Sequence, residues 1–505
     1  MSGENLFQLA MVLHVGAVLL FLSDRQRWAL LTLLTGGVIL RYYFATLDPF
    51  LHDWDERFHA LVAKNLTQHW LRPTLVEHHI LSNVKEEWTD KHIWLHKQPL
   101  FLWQMALSIR LFGATEFAVR LPSLIMTSIL IPAIYQIGRM VFNPIAGFIA
   151  AFILSCYEPL LEMNSGMMGM EHNDIAFLFY VTLSIWAWIC YEQRQRTGYL
   201  LMMGFFAGCA VLCKWLTGML VFSGFIVYHL LLAKDLFTAG TVKNLVKALV
   251  VCFVVFLPWQ LYILWQYPVE AHSEYAYNSK HFFQVVEGHE HETWFYLNIL
   301  PDYYRGLQYL IGLSIVVALL FARRLRLAAS LSFTFVLVYC FFTVAQTKLP
   351  SYVMVVMPLG LLLLSAIISW VMRLIWHYNA LRYLLGSVVF VALLLQFVHW
   401  PLIVENHFDP DTWQGHTRTA KLEYVDAFKK LTGRLPSNTV ILDLGNMKNI
   451  DLMFYTGVPA YSGRYDSDYY FLKGHKYNVV FWADSLPVYA RRDSTTHLIK
   501  DYLPR

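Results

Sequence analysis

The sequence predicts an all-α polytopic membrane protein of about twelve transmembrane helices with interfacial helices, followed by a small C-terminal α/β extracytoplasmic domain. Three observations carry that prediction. The 505 residues are 57% hydrophobic and only 15% charged, with a mean hydropathy of +0.44, whereas soluble domains are nearer a quarter charged. Apolar runs long enough to cross ~30 Å of hydrocarbon recur up to about residue 400. Beyond residue 401 the composition turns polar. The net charge of +4 is small and dispersed, which gives no basis for nucleic-acid binding.

The apolar runs fall near 6–22, 28–47, 119–142, 145–162, 174–191, 199–213, 216–233, 245–265, 306–322, 328–346, 350–371 and 381–400. Met1-Ser2-Gly3-Glu4 brings no basic segment and no small-residue cleavage site follows, so the first run is expected to be a retained span rather than a removed signal. Alternate joints carry Arg25 and Arg27, Arg139, Arg194 and Arg196, Lys234, Lys243 and Lys247, Arg323, Arg324 and Arg326, then Arg373 and Arg382. The positive-inside rule places these in the cytoplasm. The loop 48–118, the turn near 163–173, Lys214, the loop 266–305, Lys348 and the tail from 401 then face outward. Counting 98–112 as a span would invert every later joint, so it is read as an amphipathic helix in the outer interface, with Trp94 and Trp103 at headgroup depth.

Two domains are expected: 1–400, membrane-embedded with outer loops 48–118 and 266–305, and 401–505, soluble. In the tail, a helical pattern at 419–431, strand-like runs at 439–444 and 478–482, and an apolar-periodic piece at 450–455 ending at Gly457 predict the small α/β domain. The aromatic stretch 461–471 reads equally as an acceptor contact or as that domain's core. The six cysteines all lie in apolar segments without a CxxC pair and are read as small buried hydrophobes. The chain shows no two-halves symmetry, which weighs against a secondary transporter.

Charge is costly in hydrocarbon, so ionisable groups at span ends mark chemistry or transport. In HDWDERFHA (52–60), Asp55-Glu56 follows an apolar span. A helix starting near Asp53 would favour carboxylates there through its free N–H groups and dipole, so Asp53 reads as a cap or a functional acid. Asp55 is placed to accept a proton from an attacking hydroxyl. Lys97 precedes Gln98-Pro99 at the mouth of a helix, where a cation suits an anion such as phosphate; a snorkelling lysine is the other reading. Glu171, His172 and Asp174 open a span, and Asp174, the deepest, reads as a cap or as the partner of a cation. Arg120, Lys214 and Lys348 are isolated cations at outer boundaries, where the charge rule disfavours them. Together they suggest anion stabilisation. His96, His281, His289 and His291 invite a metal reading, but HEHE (289–292) lacks the HExxH spacing and no cysteine joins it.

The order of these pieces resembles the GT-C membrane glycosyltransferases over roughly residues 28–371. The closest branches are the dolichyl-phosphate-mannose protein mannosyltransferases and the bacterial lipid A aminoarabinose transferases. The resemblance rests on Asp55-Glu56, Lys97-Gln98-Pro99, Arg120-Leu121-Pro122-Ser123, Asp174, Cys213-Lys214-Trp215 and the stretch from Lys348 to Tyr352. It implies an integral membrane glycosyltransferase that moves a sugar from a polyprenyl-monophosphate donor to a protein, lipid or glycan acceptor, with inversion. It further implies a bacterial inner-membrane location with the site on the periplasmic or outer face. Carried over, Asp55 resembles the acid that activates the acceptor, with Glu56 or Asp174 orienting. Lys97, Arg120, Lys214 and Lys348 resemble the positions that hold donor phosphate. Some members bind a divalent metal near this point, which makes His96 with His289 or His291 the candidate ligand set. Lys-Gln-Pro stands where Lys-Pro is common, an extra span precedes Asp55, and His96 stands where aminoarabinose transferases carry Glu. The rival classes are a lipid-linked sugar transporter or flippase and a surface polysaccharide ligase. A prenyl phosphate leaves as an anion and needs no general acid, so one carboxylate with several cations suffices; a glycosidase would need two flanking carboxylates.

Overall fold

A computed structural model describes residues 3–82, 88–168, 172–398, 400–462, 466–483, 485–491, 493 and 496–503. Nine helices in these residues are long and apolar enough to cross a membrane: Asn5–Leu22, Gln26–Ala45, Glu116–Val141, His172–Arg194, Thr197–Ala233, Ala239–Gln266, Arg326–Val344, Pro350–Ile375 and Asn379–Phe397. Two bent pairs, Pro144–Ser155 with Glu158–Ser165 (42°) and Phe295–Tyr304 with Gln308–Leu320 (106°), raise the number to eleven. The expectation was about twelve, and the difference lies in Thr197–Ala233. That run reverses at Trp215: a Cβ on Gly218 would lie 2.5 Å from the amide nitrogen of Val211, although seven residues of continuous helix would separate them by about 10 Å. It therefore makes the two passes read from the sequence at 199–213 and 216–233.

Contacts among the chain divide it into two compact units, one of Met1–Leu47, Lys97–Phe101 and Ser123–His399, the other of Asp48–His96, Leu102–Pro122 and Trp400–Arg505. In the first unit, Val250, Val254, Leu257, Leu261 and Trp265 form an exposed stripe along Ala239–Gln266, the spacing of a lipid-facing helix side. Its other side packs closely on Thr197–Lys214. A Cβ on Gly204 would sit 2.1 Å from the Ala248 carbonyl oxygen, and one on Gly208 2.7 Å from that of Cys252. The four-residue spacing of small residues is what allows this approach.

Arg41 explains the first bent pair. It is fully buried in Gln26–Ala45 and donates to the carbonyls of Leu154 (3.1 Å) and Ser155 (2.9 Å), to Gly37 O (3.1 Å) and to Thr127 Oγ1 (3.0 Å). The carbonyls at the end of Pro144–Ser155 have no partners within the helix, and the guanidinium supplies them where the axis breaks. An arginine inside a span is by default a functional hypothesis; this one is a joint.

The second unit holds a three-stranded parallel sheet, Thr439–Leu442, Asn478–Phe481 and His497–Leu498 in that order, with Thr439 beside Asn478 and Val480 beside His497. The helices Lys448–Thr456 and Asp466–Gly474 lie between the first two strands in sequence, the crossover that a parallel pair requires. Val440, Leu442, Val479 and Phe481 form its core with Tyr461, Tyr469 and Leu472. Tyr461 and Tyr469 thus follow the core reading of the aromatic stretch, while 463–465 lie outside the described residues. The helix expected at 419–431 runs over Trp413–Leu431, and Val425, Phe428 and Leu431 face inward.

Candidate active site

In the second unit, the helix carrying the acidic pair is Asp55–Leu66. It begins two residues later than the sequence suggested, so Asp53 precedes it. Glu56 is fully buried, and Arg120 binds it in a fork: Nε donates to Oε1 at 2.7 Å and Nη2 to Oε2 at 3.0 Å. Arg120, also fully buried, further donates to the carbonyls of Asp48 (2.9 Å) and Phe50 (2.6 Å). The backbone N–H of His52 donates to Glu56 Oε2 at 2.6 Å. Arg120 and Glu56 therefore clamp the chain 48–56 just ahead of Asp55. Successive helix residues project roughly 100° apart. With Glu56 locked inward, Asp55 is turned aside and remains partly exposed.

The same segment is held by the tail. Asp48 is buried; His407 Nε2 lies 2.5 Å, His52 Nε2 3.1 Å and Arg418 Nε 2.8 Å from its carboxylate. Burial would raise the Asp48 carboxyl, but the hydrogen bonds and charges of His407 and His52 prevail and hold it well below the usual carboxylate range. Lys421 Nζ donates to Leu51 O at 2.6 Å and pairs with Asp53 at 2.7 Å. Burial pushes its ammonium down to about 7, against the pull of Asp451. Arg57 pairs with Asp53 and lies 3.4 Å from Asp451. Lys64 donates to the carbonyls of Met453 (3.1 Å) and Phe454 (2.5 Å), the open end of Lys448–Thr456, as cations do at helix C-termini.

In the first unit, Asp174 stands in the first turn of His172–Arg194, buried, in direct ion pair with Lys214. Glu171 lies outside the described residues. Ser123 Oγ is 2.8 Å from Nδ1 of His172. The Lys214 ammonium also lies 4.8 Å from the centre of the Tyr352 ring, and Tyr352 follows the Lys348-Leu349-Pro350 turn. The structure thus brings three of the expected pieces together. Gln346 N–H donates to Phe282 O (3.1 Å), Thr347 N–H to His281 O (3.0 Å) and Lys348 N–H to His289 O (3.1 Å), which ties that turn to the 281–290 segment.

Lys348 is 5% exposed, its ammonium donates to the Ala345 carbonyl at 2.7 Å, and among the described residues it forms no ion pair. A buried cation without a counter-charge is expensive, and an anion would relieve it. Lys97 is half-buried. The neighbouring Gln98 accepts from Gln260 at 2.8 Å, and Gln260 accepts from Tyr275 at 2.8 Å, which anchors the Lys-Gln-Pro turn.

Two tryptophans inside the quoted motifs have a backbone that their sequence does not announce. Trp54, directly before Asp55, has φ 62° and ψ −120°; Trp215, directly after Lys214, has φ 59° and ψ −161°. Positive φ in a bulky residue is strained, and such strain gathers at functional sites. Nothing in the local sequence marks it, because neither residue is glycine or asparagine.

Among the described residues no group of three His, Cys, Asp or Glu side chains is placed to hold a metal ion. The His96 ring stacks on Trp88 at 4.5 Å and that of His291 on Phe295 at 4.0 Å; His289 lies 3.9 Å from Glu287. Neither His96, His289 nor His291 belongs to such a group.

The family model for dolichyl-phosphate-mannose-protein mannosyltransferase matches residues 96–262. Two curated relatives carry the name undecaprenyl phosphate-alpha-4-amino-4-deoxy-L-arabinose arabinosyl transferase. That of Pseudomonas fluorescens strain Pf0-1 (transferase 1) is 26% identical over 394 residues, covering 73% of this chain and 63% of the relative. That of Pseudomonas aeruginosa strain LESB58 is 26% identical over 305 residues, covering 56% and 52%. The chain thus spans between about half and two thirds of the length of these relatives. ArnT from Cupriavidus metallidurans, solved with undecaprenyl phosphate bound, matches with a TM-score of 0.63 at 17% identity, covering 88% of this chain and 87% of that one. The archaeal oligosaccharyltransferase AglB from Archaeoglobus fulgidus, in complex with an inhibitory peptide and a dolichol-phosphate, matches with a TM-score of 0.60 at 12% identity, covering 87% and 65%. The fold is that of these membrane transferases, and the resemblance to the GT-C glycosyltransferases drawn from short motifs is borne out.

Proposed function

We propose that this protein transfers a sugar from a polyprenyl-monophosphate donor to a hydroxyl-bearing acceptor on the outer face of a bacterial inner membrane. The observation that carries this reading is Lys348, a buried cation with no carboxylate partner among the described residues, four residues ahead of Tyr352, whose ring the Asp174-paired Lys214 ammonium faces. Names of the relatives that specify undecaprenyl phosphate, and a fold shared with ArnT, support the same donor class.

Asp55 takes the proton of the acceptor hydroxyl. The freed oxygen pair attacks the anomeric carbon from the face opposite phosphate, and the bond from carbon to phosphate oxygen breaks with its electrons going to the prenyl phosphate. Configuration inverts. Lys348, with Lys97 and Lys214, meets the growing phosphate charge in a low-dielectric setting, where fixed cations stabilise a transition state most. Asp174 holds the Lys214 ammonium in place. Arg120 and Glu56 take a positioning role, because their mutual fork and the carbonyls of 48 and 50 already occupy the guanidinium.

The test is transfer by purified protein from a synthetic prenyl-monophosphate sugar, read as released prenyl phosphate. Asp55→Asn is expected to abolish release while still binding donor, and Lys348→Met to weaken donor binding. Full turnover by Asp55→Asn refutes the role of the carboxylate, and no release by the wild type returns the question to a transporter or a ligase.

A further inference from the structure

At one end of the membrane-spanning unit, Gln26–Ala45, Glu116–Val141 and His172–Arg194 line an open pocket of about 500 Å³. Arg194 ends the helix that Asp174 begins. The pocket therefore stands about 30 Å along that axis from the Asp174–Lys214 pair. Arg27, Arg139 and Arg194 line it, with Gln26, Gln136 and Gln193 between them, and no carboxylate does.

The acids nearest in sequence are committed elsewhere. Asp24 pairs with Arg382 at 2.6 Å, while Glu192 and Asp235 hold His229 at 3.0 and 2.8 Å. Among the described residues the three pocket arginines form no ion pair. Hydroxyls orient two of them: Arg139 bonds to Tyr135, and Arg194 to Tyr199, whose ring it also covers at 5.3 Å. The amide oxygens of Gln26 and Gln136 are engaged as well, accepting from Tyr135 (3.1 Å) and Trp186 (3.0 Å). What those side chains have left to offer is N–H. A concave wall of three guanidinium forks and amide donors, with no negative group, is the chemistry that recognises a phosphate.

Orientation in the membrane requires basic residues at this end, and Arg25, Arg196, Arg323 and Arg324 meet that need outside the pocket. It does not require three arginines to converge on one cavity with their counter-charges removed. We propose that this pocket binds a phosphate-bearing anion, either the phosphodiester headgroup of an anionic membrane lipid or a soluble phosphate, at a site separate from the one used for transfer.

The full-length protein in zwitterionic detergent is titrated with short-chain phosphatidylglycerol in one arm and inorganic phosphate in the other, and Kd is read by thermophoresis. Saturable binding is expected in at least one arm. The triple variant Arg27→Gln/Arg139→Gln/Arg194→Gln is expected to bind about a hundredfold more weakly. A control, Arg323→Gln/Arg324→Gln/Arg373→Gln, removes the same charge outside the pocket and is expected to change Kd by less than about threefold. Saturation by phosphatidylglycerol alone identifies a lipid headgroup, by phosphate alone a soluble ester, and by both the phosphate group itself. Saturation in neither arm, or equal weakening by the two triple variants, overturns the proposal.

Discussion

Replacing Glu56 with Gln removes one charge from a fully buried pair and changes no shape. Arg120 would then be a buried cation facing a neutral amide, with Asp48 O and Phe50 O its other acceptors. Breaking a buried pair from one side costs about 3–5 kcal/mol, which lowers the unfolding midpoint of a chain this long by about 3–5 °C. Arg120→Met is expected to cost more, because it removes the counter-charge of the buried Glu56 carboxylate and takes the Arg120 donors from two buried carbonyls, at about 1–3 kcal/mol each. The double variant Glu56→Gln/Arg120→Met is expected to be less destabilised than the sum of the singles by about 2 kcal/mol or more, since neither charge is left alone. Thermal unfolding in detergent measures all three. Transfer assayed well below each midpoint separates the roles: a positioning pair leaves residual turnover, whereas loss as complete as that of Asp55→Asn would make Glu56 part of the chemistry. Additive destabilisation by the two singles would refute the clamp.

The remaining predictions concern the joint, the buried lysine, the strained tryptophan and sidedness. Arg41→Leu takes the guanidinium donors from the carbonyls of Leu154 and Ser155, and a midpoint unchanged from wild type would show that the broken helix does not depend on it. The Lys421 ammonium sits at about 7 in the folded protein, below its usual 10.4. Between these values the unfolded chain binds more protons, so stability rises with pH from about 7 to 10, and Lys421→Met is expected to flatten that slope in a pH series of unfolding midpoints. Trp54→Gly removes backbone strain of about 1–3 kcal/mol and is expected to keep or raise the midpoint while lowering turnover; unchanged turnover would leave the strain without a role. Single cysteines at Ser279 and Arg323 in an otherwise cysteine-free chain are expected to react with an impermeant reagent from opposite sides of the membrane, and labelling of both from one side contradicts the charge-based topology.

Features whose physics is local were readable before the fold. Apolar runs of span length, arginines on alternate joints and the strand and helix periods of the tail each repeat within a short window, and the helices and strands arrive close to where those patterns lie. Isolated charges such as Lys214 and Lys348 stood out because hydrocarbon penalises them. Partners were not readable. Arg120 reaches Glu56 across 64 residues and Lys421 reaches Leu51 across 370, and no periodicity encodes such contacts. Arg120 accordingly looked like one more phosphate-binding cation, although its donors are turned inward. Arg41 had the same intramembrane signal as the others, yet its carbonyl partners lie on another helix and only the fold reveals the joint.

Sorting the charges by what satisfies them also bears on the choice between the proposed enzyme and a transporter. A transporter moves its ionisable groups between partners as its halves rock, and keeps its site near mid-span. Here Arg41, buried within a span, is bound by carbonyls at a fixed helix break, and Glu56, Asp48 and Arg57 are held by several donors or acceptors each. Groups so satisfied resist movement, since each bond lost in a low-dielectric setting is costly. Lys348, by contrast, is buried, donates to the Ala345 carbonyl and forms no ion pair among the described residues. Such a division between rigid support and an uncompensated buried cation suits the preorganised transition-state site proposed above, and a moving carrier would need the reverse.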